Sequence, residues 1–336
     1  MLWRFSMTIV RNLPATRYDS SNGAMSNPTP LVEVEGILVK LECVNATGSI
    51  KDRIAKYILE RSRELGLLKP GQPIVEATSG NTGIAMAYCA RELGHPITIV
   101  MPENMTEERK QRIRSLGAEL VLCSAGSFAE AAEIRDRLAE ENGWFNPDQF
   151  SNPLNVECHR LGTGAELIEQ ADGRPIDAFV AGIGTGGTLI GVGEALRAKW
   201  HDAYIVAVEP AESAVMGGGE PGTHIIFGIG DGFIPAIASD GRGGLHPMID
   251  EVIAISDQDA LSAAGRLRER HGLCVGISSG ANYLAAKQLQ ESFAVVATVF
   301  ADGYGKYESH GLCAAEPGQC AFEEVCLARQ ETLGMR

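Results

Sequence analysis

Short apolar runs alternate with helical patterns along most of this chain, and this alternation constrains its fold more than any other feature. Runs of β-branched and apolar residues, bounded by glycine or polar residues, predict strands at 73–77, 97–101, 118–123, 177–181, 204–208, 252–255 and 294–300. Apolar residues at helical spacing predict helices at 84–93, 106–116, 128–141, 156–170, 189–200, 259–271 and 282–289. Because strands and helices alternate, we predict an α/β fold with parallel strands and helices on both sheet faces.

Composition limits the classes of partner. The chain has 336 residues, of which 45% are hydrophobic and 21% charged, so a large core and two lobes are expected. A net charge of −14 without a basic cluster argues against nucleic acid or an anionic membrane surface as a main partner. No run of eighteen apolar residues occurs, so no transmembrane helix is expected. Residues 1–10 are too short and too interrupted for a signal sequence.

Cysteine usage predicts the compartment. Four of the eight cysteines lie within apolar element patterns, namely Cys43, Cys89, Cys123 and Cys274. Free buried thiols are typical of a reducing compartment, so a cytoplasmic location is expected. Three more cysteines in the tail, Cys313, Cys320 and Cys326, have no standard zinc spacing, and no metal is expected.

The first candidate site is the lysine turn at 46–53. Before it, residues 31–34 and 37–41 flank a Glu-Gly pair, which predicts a two-strand hairpin. Ser49 and Asp52 have the spacing of a capping box, so Lys51 lies at the start of a helix that runs to about residue 65. A lysine at a helix start can form a Schiff base with a carbonyl cofactor. The alternative is a solvated surface lysine.

Two glycine-rich loops each connect a predicted strand to a predicted helix. The loop at 78–83 (Thr-Ser-Gly-Asn-Thr-Gly) offers amides and hydroxyls that suit a carboxylate at a helix start; the alternative is an ordinary capped turn. The loop at 182–188 (Gly-Ile-Gly-Thr-Gly-Gly-Thr) suits a phosphate; the alternative is a packing turn. It lacks the Gly-Lys-Ser/Thr ending of a nucleotide P-loop.

A third loop offers a further candidate residue, and the 182–188 loop also supports a rival enzyme class. At 276–280 (Gly-Ile-Ser-Ser-Gly) a serine hydroxyl can bond a ring nitrogen or simply cap the following helix. Gly182, Gly184 and Gly187 also satisfy G-x-G-x-x-G, and Glu209 follows the next strand, where a ribose-binding acid would lie. A nicotinamide-dependent oxidoreductase is therefore the rival enzyme class, although it gives no function to Lys51 or to the 78–83 loop.

Five motifs in order carry a family resemblance. They are S-x-K-D-R at 49–53, T-S-G-N-T-G at 78–83, G-x-G-T-G-G-T at 182–188, G-I-G-x-G-F-I-P at 228–235 and G-I-S-S-G at 276–280. With this order and spacing, residues 28–310 resemble the cysteine synthase and cystathionine β-synthase family of fold type II pyridoxal-phosphate enzymes. The resemblance implies a two-lobed, three-layer parallel-sheet architecture. It also implies a smaller, mobile lobe at 45–153, a larger lobe formed by 1–44 and 154–310, and a tail at 311–336.

The resemblance also implies residue roles. Lys51 forms the internal aldimine with pyridoxal 5′-phosphate and moves the Cα proton, Asn81 bonds the 3′ oxygen of the cofactor, and Ser278 faces the pyridine nitrogen. The phosphate is held by Gly184, Thr185, Gly186, Gly187 and Thr188. The substrate carboxylate is held by Thr78, Ser79, Thr82 and Gln149. A serine opposite the ring nitrogen leaves the ring a weaker electron sink, which favours loss of a β-substituent.

The implied function is β-replacement on an activated L-serine, with O-acetylserine and sulfide giving L-cysteine favoured. Serine, O-phosphoserine or cysteine as substrates, a cystathionine β-synthase-like or β-elimination reaction, and a catalytically silent relative remain as alternatives. Three departures from the family pattern are the missing proline before Ser49, Asp231 where many O-acetylserine enzymes have alanine, and the 302–306 segment. The last two can change substrate or leaving-group preference. A homodimer is expected by resemblance alone.

Overall fold

The computed structural model describes residues 28–78, 80–105, 107–303 and 312, apart from the side chain of Glu108. These residues form two compact units. The smaller unit runs from Lys51 to Cys158, and the larger unit contains the described residues up to Ile50 and from His159 onward. The boundary between the units therefore falls directly before Lys51.

The larger unit is built on a six-stranded sheet with the order β1-β2-β9-β6-β7-β8. Its strands are β1 (Leu31–Val34), β2 (Ile37–Leu41), β6 (Ala178–Gly182), β7 (Tyr204–Pro210), β8 (Glu251–Ile255) and β9 (Val296–Phe300). The first two strands form the predicted antiparallel hairpin, whose turn residues Glu35 and Gly36 both have positive φ values. The other pairings are parallel, as the strand–helix alternation predicts.

Helices cover both faces of this sheet. The helices of the larger unit are α6 (Ala165–Gln170), α7 (Gly187–Lys199), α8 (Asp257–His271) and α9 (Ile277–Leu289). Val180 and Val206 pack in a core cluster with Ala264 of α8 and Ala285 of α9. Successive strand residues, including Phe179, pack in a second cluster with residues of α6 and α7. The three-layer prediction is therefore confirmed for the larger unit, because alternate residues of each strand point into opposite buried faces.

The smaller unit contains a three-stranded parallel sheet in the order β3-β4-β5. The strands are β3 (Ile74–Ala77), β4 (Ile97–Pro102) and β5 (Glu119–Cys123), and the helices are α1 (Lys51–Glu64), α2 (Asn81–Leu93), α3 (Glu107–Ser115) and α4 (Phe128–Asn142). Val75, Val100 and Ala131 share a core cluster that joins the sheet to α4. On α2, an added Cβ at Gly83 would lie 3.2 Å from Ile113 of α3, so this glycine permits close packing.

Several helices begin earlier than the apolar periodicity predicts. The sequence predicts starts at residues 84, 189 and 282, whereas α2, α7 and α9 begin at Asn81, Gly187 and Ile277. Apart from Ile277 and Ala281 of α9, the residues that these helices add before the predicted starts are glycine, serine, threonine or asparagine, which carry no apolar periodicity. The glycine-rich loops are therefore partly the first turns of helices, and the helix amides point toward the loop residues.

The predicted helix at 156–170 also differs from the structure. It begins as α5 (Pro153–His159), with proline in the first turn, and continues through a π-helical segment at Arg160–Gly164 into α6. An added Cβ at Gly164 would lie 2.6 Å from the Cβ of Ala195 on α7. Close packing of this segment against α7 therefore requires glycine at position 164.

Five cysteines in the described ranges, including the four predicted, are buried free thiols: Cys43, Cys89, Cys123, Cys158 and Cys274. Cys313, Cys320 and Cys326 lie outside the described residues, as do residues 304–306 and most of the predicted tail. Over the part of the chain that is described, no helix has both the length and the apolar character needed to cross a membrane.

Candidate active site

The residues directly before Lys51 are fixed to the larger unit by backbone pairing. The N–H of Ile50 donates to the carbonyl of Ala301 at 2.8 Å, and Gly303 N–H donates to Gly48 O at 3.2 Å. Ser49 forms an antiparallel bridge with Asp302. Lys51 follows as the first residue of α1 and is half-buried. The predicted position of this lysine at a helix start is therefore confirmed.

The segment that pairs with 48–50 also pairs with the chain leading to Ser278. Gly276 N–H donates to the carbonyl of Asp302 at 3.0 Å, and Val275 forms a bridge with Gly303. Ser278 lies in the first turn of α9 and is only 4% exposed. Segments 48–50, 301–303 and 275–276 are thus joined by isolated β-bridges and backbone hydrogen bonds, and no sequence pattern predicts this pairing.

The loop at 182–188 joins the end of β6 to the start of α7. Gly186 occupies the N-cap position with φ of +89°, and Gly187 and Thr188 form the first helical turn. An added Cβ at Gly184 would lie 2.3 Å from the carbonyl oxygen of Gly228, so the loop backbone is in close contact with segment 228–230. The amides of this helix start and the hydroxyls of Thr185 and Thr188 suit a phosphate.

Segment 228–231 packs on this loop. Gly230 N–H donates to the carbonyl of Ile183 at 2.9 Å, and Gly230 O accepts a bond from His224 Nε2 at 2.8 Å. Asp231 is the next residue and is half-buried. The structure therefore brings the third and fourth sequence motifs together. Asp231, which differs from the family pattern, directly follows a residue that is hydrogen-bonded to the 182–188 loop.

Two residues that support this loop were missed by the sequence analysis. His159 is buried, and its Nε2 lies 3.2 Å from Thr188 Oγ1 while its Nδ1 lies 2.9 Å from Thr163 Oγ1. Asn282 Oδ1 accepts from Gly182 N–H at 2.8 Å, and its Nδ2 donates to Val299 O at 2.9 Å. The His159–Thr163 spacing of four residues on a helix was the available signal for the first of these.

In the smaller unit, the loop at 78–83 lies between β3 and α2. Gly80 is the N-cap, and Asn81 and Thr82 form the first helical turn. Thr82 Oγ1 donates to Gln149 Oε1 at 2.7 Å, so two predicted carboxylate ligands from distant parts of the chain are in contact. Thr78 is buried and its N–H donates to Val100 O at 3.0 Å. Ser79 lies outside the described residues.

Helices α2, α7 and α9, which begin at the glycine-containing motifs, start without the side-chain cap that two other helices have. The N-caps of α2, α7 and α9 are Gly80, Gly186 and Gly276, which have no side chain to accept bonds from the first amides. By contrast, Ser127 and Ser256 accept N–H bonds at the starts of α4 and α8. The three motif helices therefore begin without a capping side chain, and a helix start of this kind suits an anionic ligand.

Glu209, the residue on which the nicotinamide-dependent oxidoreductase alternative depends, has a structural role. Its two carboxylate oxygens accept the N–H bonds of Met216 and Gly217, both at 2.8 Å. Burial raises the pKa of this carboxyl, and the two backbone bonds oppose that rise. The carboxylate therefore stabilises the turn after β7, and this gives Glu209 a structural role.

Comparison with known proteins identifies the family. The family description "Pyridoxal-phosphate dependent enzyme" matches residues 25–302. The chain belongs to this family. The cofactor is accordingly pyridoxal 5′-phosphate, and the family resemblance stated from the motifs is confirmed. The cofactor chemistry also agrees with the structure, because the close approach of Gly184 to Gly228 and the glycine cap of α7 form an amide-lined turn that suits a phosphate.

Individual proteins of known activity are also similar to this chain. A cysteine synthase of Staphylococcus aureus is 44% identical over 271 residues, covering 77% of this chain and 85% of that protein. The crystal structure of a cysteine synthase from Entamoeba histolytica has a TM-score of 0.81 and 34% identity, covering 97% of this chain and 98% of that one. A hydrogen sulfide-producing enzyme from Fusobacterium nucleatum has a TM-score of 0.79 and 39% identity, covering 93% of each chain. These relatives support a β-replacement enzyme of the cysteine synthase type.

Proposed function

We propose that this enzyme converts O-acetyl-L-serine and sulfide to L-cysteine and acetate. The observation that carries the proposal is the pair formed by Thr82 and Gln149 at the start of α2, since two neutral hydrogen-bonding side chains beside a glycine-capped helix start suit an amino-acid carboxylate. The similarity to cysteine synthases supports the choice of reaction.

Binding and orientation are assigned to residues of each unit. In the smaller unit, Thr78, Ser79, Thr82 and Gln149 hold the substrate carboxylate, and Asn81 bonds the 3′ oxygen of the cofactor. In the larger unit, Gly184, Thr185, Gly186, Gly187 and Thr188 hold the cofactor phosphate, with His159 orienting the hydroxyl of Thr188. Backbone amides that bind the phosphate would keep the cofactor ring in position while the substrate is converted to product.

The chemistry is assigned to Lys51. When bound, pyridoxal phosphate supplies an electron sink for the electrons of the Cα–H bond. The Lys51 amine would hold the cofactor until the amino group of the substrate replaces it. The released amine would then accept the Cα proton as acetate leaves Cβ, and would return a proton to Cα after sulfide bonds to Cβ. Ser278 presents a neutral hydroxyl to the ring nitrogen, which limits the strength of the sink and favours departure of the β-substituent.

A substrate panel tests the proposal. Purified protein is incubated with sulfide and one of O-acetylserine, O-phosphoserine or serine, or with cysteine and no added sulfide. The amino-acid products are measured by mass spectrometry, and released sulfide is measured in the cysteine sample. We expect L-cysteine from O-acetylserine at a rate well above that from O-phosphoserine or serine, and well above the rate of sulfide release from cysteine. Protein with bound cofactor that turns over none of the four would contradict the proposal and would favour the catalytically silent alternative.

Asp231 favours a second candidate, the replacement of the thiol group of L-cysteine by water, which gives L-serine and sulfide. This carboxylate follows Gly230, which is bonded to the phosphate loop, at a position where many O-acetylserine enzymes have alanine. A carboxylate can take a proton from the water that bonds to Cβ as hydrosulfide leaves, and one relative is a hydrogen sulfide-producing enzyme. In the same panel, sulfide release from cysteine that exceeds cysteine formation would favour this second reaction.

We also propose a cytoplasmic homodimer. Five buried free thiols within the described ranges support a reducing compartment. The family resemblance is the support for a dimer, and light scattering at micromolar concentration measures the oligomeric state directly.

A further inference from the structure

Asp148 has a strained backbone conformation directly before Gln149, a residue assigned to the substrate carboxylate. Within the described residues, three residues other than glycine have a positive φ, and they are Glu35 (+48°), Asp148 (+44°) and Asp172 (+51°). Glu35 and Asp172 are each followed by a glycine of positive φ, so a tight turn accounts for their conformation. Asp148 has no glycine beside it. Strain that a turn of this kind does not explain points to a role in function.

Hydrogen bonds on both sides hold Asp148 in this conformation. Its N–H donates to Asn146 Oδ1 at 2.9 Å, and its carbonyl accepts from the N–H groups of Ser151 at 3.2 Å and Asn152 at 3.0 Å. Its carboxylate accepts a hydrogen bond from the hydroxyl of Ser151 and lies 3.5 Å from Nη1 of Arg135 on α4. Neither peptide group beside Asp148 can therefore rotate without breaking hydrogen bonds.

Helix α4 supports the same loop a second time. Arg135 is buried, and its Nη2 lies 2.8 Å from Asp136 Oδ1. The same Asp136 oxygen accepts from Asn146 Nδ2 at 3.1 Å. Two adjacent residues of α4 thus contact Asn146 and Asp148, so the helix sets the position of the loop that leads to Gln149.

The conformation of Asp148 determines where Gln149 lies. The carbonyl of Asp148 and the N–H of Gln149 belong to one planar peptide group, so the bonds to that carbonyl also fix the start of Gln149. Gln149 is buried, its Oε1 accepts from Thr82 Oγ1 at 2.7 Å, and its carbonyl accepts from Asn155 Nδ2 at 2.8 Å. An ordinary φ of about −60° at Asp148 would rotate the chain by roughly 100° and move Gln149 away from Thr82.

We propose that Asp148 is a positioning residue whose left-handed backbone presents the side chain of Gln149 to Thr82 and so determines affinity for the carboxylate of the amino-acid substrate. The inference rests on the proposed function of Thr82 and Gln149. Asp148 acts through Gln149 rather than on the substrate itself. A strained conformation that is held by several hydrogen bonds keeps Gln149 in place before the substrate arrives.

Three substitutions separate the backbone of Asp148 from its side chain. Asp148→Asn tolerates the left-handed region and keeps a side-chain oxygen acceptor. Asp148→Gly adopts that region freely but loses the side-chain contacts, whereas the β-branched side chain in Asp148→Val disfavours it strongly. The matched control is Asp172→Val, because Asp172 has the same backbone conformation in the larger unit and belongs to no motif of the site.

For Asp148→Val we expect kcat/KM for the amino-acid substrate to fall about tenfold, the factor expected when one hydrogen bond to a carboxylate is lost. The kcat/KM for sulfide and the cofactor absorbance should stay as in the wild type. Asp148→Gly should lower the amino-acid value only about threefold, and Asp148→Asn less than about twofold, because both keep the backbone conformation. Asp172→Val should change neither value. The dissociation constant of the amino acid, measured without sulfide from visible absorbance, should follow the same order.

A double-mutant cycle with Thr82→Val tests whether Asp148 acts through Gln149. In the Thr82→Val background the effect of Asp148→Val on the dissociation constant of the amino acid should shrink, because both substitutions act on the same glutamine. Effects that multiply fully would show that Asp148 acts by another route and would overturn the inference.

Other outcomes also overturn the inference. An amino-acid kcat/KM in folded Asp148→Val that equals the wild-type value would do so while leaving the proposed function intact. Equal falls in Asp148→Gly and Asp148→Val have the same meaning, since glycine keeps the backbone conformation. If Asp148→Val does not fold, Asp148→Ala replaces it, and its kcat/KM must lie below that of Asp148→Gly. Wild-type protein whose absorbance changes with no amino acid of the panel would overturn the proposed function and this inference together.

Discussion

At Gly184 the backbone leaves no space for a side chain. The ideal Cβ position lies 2.3 Å from the carbonyl oxygen of Gly228, which is main chain and cannot rotate away. Any residue with a Cβ must push the phosphate loop from segment 228–230. The chemistry of the loop therefore depends on a contact between glycines 44 positions apart, which no local pattern reveals.

We predict that Gly184→Ala lowers cofactor affinity at least tenfold, because displaced amides no longer converge on the phosphate. Cofactor bound per chain, measured by visible absorbance after dialysis, checks this. Gly265→Ala is the control, since Gly265 is a helical glycine of α8 with no atom within 4 Å of the added Cβ. Equal cofactor retention in both variants would contradict the prediction.

Among the elements, strand β3 contains a buried ionisable side chain, Glu76, whose pKa depends on its surroundings. Burial raises the pKa of Glu76 to about 7, and the nearby Arg135 opposes that rise only in part. A carboxyl whose folded pKa lies above its unfolded value of 4.5 contributes stability that is fully present below pH 4.5. That contribution is lost as the pH rises through about 7, because the ionised form is favoured in the unfolded chain.

We predict that the free energy of urea unfolding of the wild type, relative to Glu76→Gln, falls between pH 5 and pH 8. A pKa difference of this size corresponds to roughly 3 kcal/mol at about 1.4 kcal/mol per unit. Unfolding curves of both proteins at the two pH values provide the measurement, and the glutamine variant cancels the contribution of every other titrating group. A relative stability that rises with pH would show that Arg135 dominates the environment of Glu76.

Helix starts show which parts of an element a sequence can and cannot predict. The apolar stretches of α2, α7 and α9 are predicted correctly, but their first turns are not, because these turns consist mostly of glycine, serine, threonine and asparagine, which have no apolar period. The π-helical segment before α6 was also unpredicted, since it depends on packing of Gly164 against α7. Element type followed from local chemistry, whereas element ends followed from tertiary contacts.

For the whole molecule, the order of elements was sufficient to predict parallel sheets with two covered faces, and five motifs were sufficient to predict the family. The neighbours of each motif were not predictable. Gly48 pairs with Gly303, and Thr188 contacts His159, through contacts that only the folded chain creates. The motifs can be recognised in the sequence because their residue types are specialised, whereas supporting residues such as His159 and Asn282 belong to no motif.

The central claim is that Lys51 is the amine that holds the cofactor. Borohydride treatment of the purified holoenzyme fixes the cofactor covalently to that amine, and peptide mass spectrometry then locates it. We predict a pyridoxyl-phosphate mass on the peptide that contains Lys51, and no such mass in Lys51→Ala. The modification on another lysine such as Lys56, or its absence from every lysine peptide of a coloured preparation, would contradict the account.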